Sequence, residues 1–454
     1  MNSALSPPRR RPLAAGLAAL FALAAQQAFA ATWVVNSCAD SGSNTLRDVV
    51  ANHAVSGDTV DLSQLSCSTI SLTTGAITIT QNDLILQGPT RHEVITGYYN
   101  GVTENDRVFN HTGIGTLRLQ DLDVEYASLA PTNMDARGGC IYSNGNVYLD
   151  HTLVFACQAK APNGNAAYGG GIYTKGDLSA KYSQIVANSA IANSAFAGGA
   201  SVGGNFSAQH STINGNSAVS HGGISAHKGA TLFDSTISGN TAFIVGGMFV
   251  DGRNTDSLLI RNSTISGNSA QGGGSSSLVG GVWSTVPTTV QNSTIAFNTA
   301  MAAQSVPGTF FAPGLVMVPG ATASAAINLQ SSILSNNMYG TTELDFSTTG
   351  TGFTLTSVNS LIRASLGPQQ PATVTTACPL LGPLRDNGGL TLTHALMSRS
   401  PAIDAGNDAA NLSGDQRGPG YPRVSGPAAD IGAYEVQQGD VIFNSGFDGC
   451  PTLF

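Results

Sequence analysis

The side chains able to do chemistry are few, and they lie in three groups. Between residues 200 and 300 the acids are Asp234, Asp251 and Asp256. A polysaccharide lyase needs clustered carboxylates that hold Ca²⁺ beside a basic proton acceptor. A glycosidase needs two carboxylates a few ångströms apart. Three scattered aspartates meet neither requirement. His210, His221 and His227 form the second group. No carboxylate or cysteine at metal-ligand spacing accompanies them, so no metal or catalytic centre is expected there. Position 210 precedes a repeated phrase and is occupied in later copies by Asp234, Asn262 and Asn292, which reads as a solvent-facing polar column. The third group is Asp404, Asp408, Asp415, Asp430 and Glu435, near Arg417 and Arg423. Ca²⁺ binding by these acids is one reading. Ion pairs and turns that lock a terminal region are the favoured one. No cofactor, catalytic residue or metal ligand is therefore assigned.

Binding is easier to motivate than catalysis. Glycine pairs at 138–139, 170–171, 198–199, 222–223, 246–247 and 280–281 are each followed by an apolar residue and, one position on, by Tyr142, Tyr173, Ser225, Phe249 or Trp283 in most copies. Strand alternation sends the second of these outward when the first points inward. Tyr142, Tyr173, Phe249 and Trp283 then form an aromatic row that can stack on sugar faces or anchor a partner. Flanking loops that cover the rings are the plainer alternative.

What positions such a row is a repeat. Ser211-Thr212-Ile213-Asn214-Gly215-Asn216-Ser217-Ala218 returns from Ser235, Ser263 and Ser293, with looser copies from Ser183 and Ser331. The starts are 28, 24, 28, 30 and 38 residues apart. Units of this length cannot bury a core alone and must stack. Their short alternating segments, broken by Gly and Asn, predict strands of three to five residues. The expected architecture is all-β: a right-handed parallel β-helix with a short N-terminal capping helix and a C-terminal cap region. A β-propeller needs longer blades, and the consensus of a leucine-rich repeat is absent. Stacked isoleucines should line the interior. Asn188, Asn216, Asn240, Asn268, Asn298 and Asn336 should stack as an amide ladder. About ten to thirteen rungs at roughly 4.8 Å each predict a rod about 50–60 Å long.

The ends carry other signals. Arg9–Arg11, the apolar run 13–25 and Ala28-Phe29-Ala30 have the order of a signal peptide, which predicts a mature chain from Ala31. No later stretch is long and apolar enough to span a bilayer as a helix. Helical spacing at Leu46, Val49, Val50 and His53 predicts the capping helix, with Asn44 or Thr45 as N-cap. The expected division is a signal peptide (1–30), an N-terminal cap (31–66), the repeats (67–365), a C-terminal cap region (366–436) and a tail (437–454). Without Arg9–Arg11, 16 basic residues face 27 acidic ones, a net charge of −11, which argues against nucleic acid as a partner. Six cysteines in an exported chain predict disulfides. Fifteen connectivities are open, and nearest-neighbour pairing is the expectation: Cys38–Cys67, Cys140–Cys157 and Cys378–Cys450.

Several phrases resemble known families. Thr45-Leu46-Arg47-Asp48-Val49-Val50 with Gly57-Asp58-Thr59-Val60 resembles the N-terminal region of bacterial surface β-helix proteins. The Gly-Gly-Ile and Ser-Thr-Ile-Ser-Gly-Asn units resemble polymorphic outer-membrane-protein repeats. Asp386-Asn387-Gly388-Gly389, Ser400 to Gly406, Asp415-Gln416-Arg417-Gly418 and Asp430 to Glu435 are similar to the choice-of-anchor Q domain. The tail Ile442 to Asp448 resembles a short segment found on exported proteobacterial proteins. Asn254-Thr255-Asp256 resembles one polygalacturonase phrase, but its companions, an Asp-Asp pair, Gly-His-Gly and Arg-Ile-Lys, are missing. The resemblance implies a secreted or bacterial cell-surface protein, with the periplasm as the alternative location. It supplies no catalytic residues. The expected function is non-catalytic binding of a polysaccharide, matrix or cell surface by a monomer. A polysaccharide lyase or glycoside hydrolase with a dispersed site is the rival.

Overall fold

The computed structural model describes residues 30–90, 93–97, 106–162, 164–253, 255–272, 278–301, 312–318, 326–349, 354–366, 374–440 and 450. Residues 1–29 of the signal segment, the 442–448 tail and Asn254 lie outside these residues.

The chain coils as a parallel β-helix. Three long parallel sheets run its length. A first sheet stacks 12 strands, from Thr32–Val34 to Thr354–Val358. A second, the phrase sheet, stacks 12 strands and carries the Ser-Thr-Ile copies, such as Thr236–Ser238. A third, the glycine-pair sheet, stacks 11 and carries Ile141–Ser143 and its successors. Every neighbouring pair in the phrase sheet is in register: Ile185 on Ile213, Ile213 on Ile237, Ile237 on Ile265 and Ile265 on Ile295. These isoleucines are at most 1% exposed and belong to one continuous core. Burial of each contributes about 1.5–3 kcal/mol.

Two polar ladders fix the corners of the phrase sheet. Each phrase serine accepts the backbone N–H of its counterpart one rung earlier, as in Ser211 to Ser235 and Ser235 to Ser263, both at 3.1 Å. Each buried asparagine accepts both the backbone and side-chain N–H of the previous one, as in Asn216 to Asn240 at 3.0 and 2.9 Å. The last asparagine of the ladder is Asn337, not Asn336, because the final phrase copy starts at Ser332: Ser293 N donates to Ser332 Oγ, and Leu334 pairs with Ile295. Ser331 occupies the turn before it.

The glycine pairs are needed for room. A Cβ on Gly222 would lie 2.4 Å from the carbonyl oxygen of Gly246 one rung on. From Gly170-Gly171 onward the paired glycines have no positive φ, which is found at the phrase glycines, such as Gly239 at +62°.

The helix Leu46–Asn52 is capped by Thr45, which accepts the N–H of Asp48, and buries Leu46, Val49 and Val50. All three disulfides join nearest neighbours: Cys38–Cys67, Cys140–Cys157 and Cys378–Cys450. Such bonds belong to an oxidising, extracytoplasmic compartment. Among the described residues, no helix is long and apolar enough to cross a membrane.

The C-terminal segment does more than close the last rung. Residues 376–440 run back along the outer face of the phrase sheet. Gln416 donates to Thr236 Oγ1 at 2.9 Å and accepts from Thr264 Oγ1 at 2.6 Å. Ala433 N donates to Thr294 Oγ1, and Ile333 and Leu361 pack with Leu381, Leu396, Ile431 and Tyr434.

A candidate binding groove on the flank

The aromatic row exists in register. Tyr142 pairs with Tyr173, Tyr173 with Ser201, Ser225 with Phe249 and Phe249 with Trp283. All four rings are half-buried. Tyr142 and Tyr173 stack on each other, 5.6 Å between centroids, and Arg107 lies over Tyr142. Tyr168 meets Tyr173 edge-on, while Phe249 stacks on His221 at 4.3 Å and meets Trp283 edge-on. The rings spend their faces on one another and on these neighbours, so the row presents mainly edges.

The polar column at position 210 is not uniformly solvent-facing. His151, Tyr182, His210, Asp234, Asn262 and Asn292 share a left-handed backbone at the same turn. Asp234, Asn262 and Asn292 are at most 5% exposed because the C-terminal segment lies on them. Asn262 Nδ2 donates to Gly414 O, and Asn292 Nδ2 to Asn407 O. Burial pushes the Asp234 carboxyl up to about 7, against the lowering effect of its bond from Asn262. His210 faces it at 3.5 Å, and burial lowers the pKa of that imidazole. His227 sits far out, half-exposed, 3.4 Å from Asp251.

The acidic C-terminal set forms hydrogen bonds rather than an open cage. Asp415 is paired with Arg417 at 2.7 Å and accepts the N–H of Glu435. Glu435 lies 3.3 Å from Arg423 and accepts the N–H of Ser425 and Asp430. Asp430 accepts from Asp404 N and Val436 N. Burial raises the pKa of Asp415, Asp430 and Glu435, the last to about 7. Among the described residues, no group of three or more His, Cys, Asp or Glu side chains is placed to hold a metal ion.

Where the C-terminal segment leaves the rod, it walls a groove of about 720 Å³. Asn214, Ser238, Ser266 and Asn336 line the rod side, with Phe297 at one end. Leu380, Leu384, Leu392 and His394 line the other side, beside the Cys378–Cys450 bridge. His394 bonds Ser266 Oγ at 2.8 Å and the carbonyl of Gly382, and complete burial drives its pKa down to about 4, so the imidazole is neutral. Phe297 is 37% exposed and its ring lies 5.0 Å from that of His394. No local pattern signals this groove, because its two walls come from separate stretches of chain, 214–336 and 378–394.

No family model matches the chain, and no curated protein matches it. Among solved structures, the crystal structure of pectate lyase Pel9A is similar, with a TM-score of 0.40 and 13% identity over 89% of this chain and 96% of that one.

Proposed function

We propose that this chain is an exported, non-catalytic β-helix protein that binds a polysaccharide, a matrix or a cell surface along its flank. The observation that carries this reading is the groove itself. Among the described residues it is lined by Ser, Asn, Gly, Leu, Pro, Phe, the Cys378–Cys450 bridge and one histidine, His394, with no Asp, Glu, Lys or Arg. Such a lining offers hydrogen bonds and apolar contact but no described Ca²⁺ cage, and both ring nitrogens of its one histidine, His394, are bonded to Ser266 Oγ and Gly382 O. The signal-like N-terminus, the three disulfides and the resemblance of the C-terminal phrases to the choice-of-anchor Q domain support a location outside the cytoplasm. The rival is a polysaccharide lyase or glycoside hydrolase.

Incubation of the purified mature protein with a polysaccharide panel, with and without Ca²⁺, separates the two. Retention without cleavage is expected. New reducing ends or unsaturated uronates would refute the non-catalytic reading.

A further inference from the structure

A second cavity lies at the other edge of the phrase sheet. It measures about 370 Å³ and sits between the turn that enters the sheet and residues 412–419 of the C-terminal segment. His210, Phe233 and Asp234 form its rod side, and Leu412, Gly418 and Pro419 face them. A Cβ on Gly418 would lie 3.8 Å from His210 Cε1, so the segment passes directly over that ring. The groove described above lies at the turn that leaves the sheet and shares no lining residue with this cavity.

Asp234 breaks the pattern of its column. The next two rungs place amides at this turn, and both donate to the covering segment: Asn262 to Gly414 O and Asn292 to Asn407 O. Asp234 Oδ1 accepts from Asn262 Nδ2, a task that an amide oxygen performs equally well. Asp234 Oδ2 faces His210 Nε2 at 3.5 Å, beyond the range of a good hydrogen bond. Among the described residues no Lys or Arg lies within ion-pair distance of Asp234, and Arg417 is taken by Asp415 at 2.7 Å. The fold thus keeps a carboxyl group, 5% exposed, on the wall of a cavity with no cation beside it. An ionised carboxyl in that setting is costly until a counter-ion arrives.

His210 does not act as that counter-ion. Tyr182 stacks on its ring at 4.9 Å and Phe233 meets it edge-on at 6.2 Å, which fixes the imidazole in place. Burial lowers its pKa and Lys181 adds to the effect, so the ring is neutral at neutral pH. A neutral ring can accept a hydrogen bond through Nε2. Asp415, the other acid on the cavity wall, is already balanced by Arg417. What the cavity lacks is one compact positive group with hydrogens to donate. One imidazole and one free carboxyl are too few protein ligands for a divalent metal. A primary ammonium fits: it is compact, carries one charge and has three donors.

We infer that this cavity binds the protonated primary amino group of a small ligand, held between the Asp234 carboxylate and His210 Nε2. The volume suits a body the size of one amino sugar. The excess of acidic over basic residues draws cations toward the molecule. The site is separate from the groove, and the inference does not rest on the polymer-binding reading.

The test is isothermal titration calorimetry of the mature protein at neutral pH with D-glucosamine, its uncharged N-acetylated form and Nα-acetyllysine amide. The variants are Asp234→Asn, which keeps the acceptor for Asn262, and Ser413→Trp, which fills the cavity from an exposed position of the covering segment. Asp251→Asn makes the same charge change on a half-exposed acid outside the cavity and is the control. An amine is expected to bind and the N-acetylated sugar is not. Asp234→Asn and Ser413→Trp should each weaken amine binding about tenfold or more, and Asp251→Asn should leave it unchanged. Either amine supports the site, and the tighter of the two names the source of the ligand, a sugar or a peptide side chain. Equal binding of the N-acetylated sugar overturns recognition of the amine. Amine binding that survives both cavity variants overturns the site. Binding of neither amine overturns the inference, while the polymer-binding reading stands or falls on the polysaccharide panel alone. Circular dichroism of each variant shows whether a loss reflects unfolding, and Ser413→Trp, which leaves the rod untouched, decides the matter if Asp234→Asn fails to fold.

Discussion

Asn337 donates its side-chain amide to Asp345 Oδ1 at 2.8 Å and its backbone N–H to the same oxygen at 3.0 Å. Six rungs of asparagine pass hydrogen bonds in one direction, from Asn188 to Asn337. A one-way ladder must start on a donor and finish on an acceptor. It starts at Cys157, whose N–H goes to Asn188 Oδ1 and whose sulfur is tied to Cys140. It finishes on a carboxyl group, which accepts through Oδ1 in either protonation state and takes Ala364 N–H on Oδ2. The end of the repeat is thus written as a change from amide to acid.

Asn240→Ala should destabilise the rod by about 3–5 kcal/mol, because the Asn216 amide and the carbonyl of Ile213 lose their partner in a dry interior. Asp345→Asn should cost about 1–2 kcal/mol, since its amide nitrogen would oppose Ala364 N–H. Urea unfolding monitored by circular dichroism measures both. A cost below about 1 kcal/mol for Asn240→Ala would mean that the ladder is decorative.

The dependence of stability on pH follows from burial. Asp234 and Glu435 are held near 7 and Asp345 near 8, all above their unfolded values of about 4. Burial is the main cause at each, and Glu343 adds to it at Asp345. Raised acids bind more protons folded than unfolded, so their contribution is full below about pH 4 and is lost as pH climbs through 7 to 8. His394 and His221, lowered to about 4 and about 3 by burial, act oppositely and cost stability as pH falls below about 6.5. The melting temperature should therefore fall between pH 6 and pH 9, and Asp234→Asn should flatten that fall. A melting temperature that rises across this range would contradict the burial of these acids.

The repeat was legible because its chemistry is periodic. Ile213, Ile237 and Ile265 recur with Asn216, Asn240 and Asn268, and one rule, stacking, satisfies all of them. The pairing of the cysteines followed chain proximity for the same reason: neighbouring rungs are close in sequence. The last register was misjudged by one residue because Ser331-Ser332 and Asn336-Asn337 are doublets, and only hydrogen bonding decides which member joins the ladder. The burial of Asp234, Asn262 and Asn292 was not legible at all. What covers them comes from Asn407 and Gly414, and no local pattern encodes that docking. The groove was hidden for the same reason. The serine ladder did have a signal, since Ser opens every phrase, but its carbonyl and N–H partners are visible only in three dimensions.

Gln416 is a buried polar tie between the C-terminal segment and the rod, bonded to Thr236 and Thr264 of the rod and to Thr391 of its own segment. Gln416→Ala should cost about 2–4 kcal/mol locally, because three buried hydroxyls lose a partner. Limited proteolysis should then cut within 376–440 before the rungs are attacked. Cleavage of the rungs first, or at an unchanged rate, would show that Gln416 is not needed to hold the segment.

Loss of the Cys378–Cys450 bridge should loosen the wall of the groove. Its 72-residue span predicts a contribution of about 4 kcal/mol to the region it closes. Cys378→Ser with Cys450→Ser should leave the rod folded by circular dichroism and weaken polymer retention severalfold. Full retention by the double variant would detach the bridge from the binding account.

The account stands on a polymer held along the flank and released uncut. Size-exclusion analysis of a neutral polysaccharide before and after prolonged incubation with the mature protein measures this directly. The expected result is co-elution of protein with polymer and an unchanged length distribution after the protein is removed. A shift of the recovered polymer to shorter chains would contradict the account and make the molecule an enzyme.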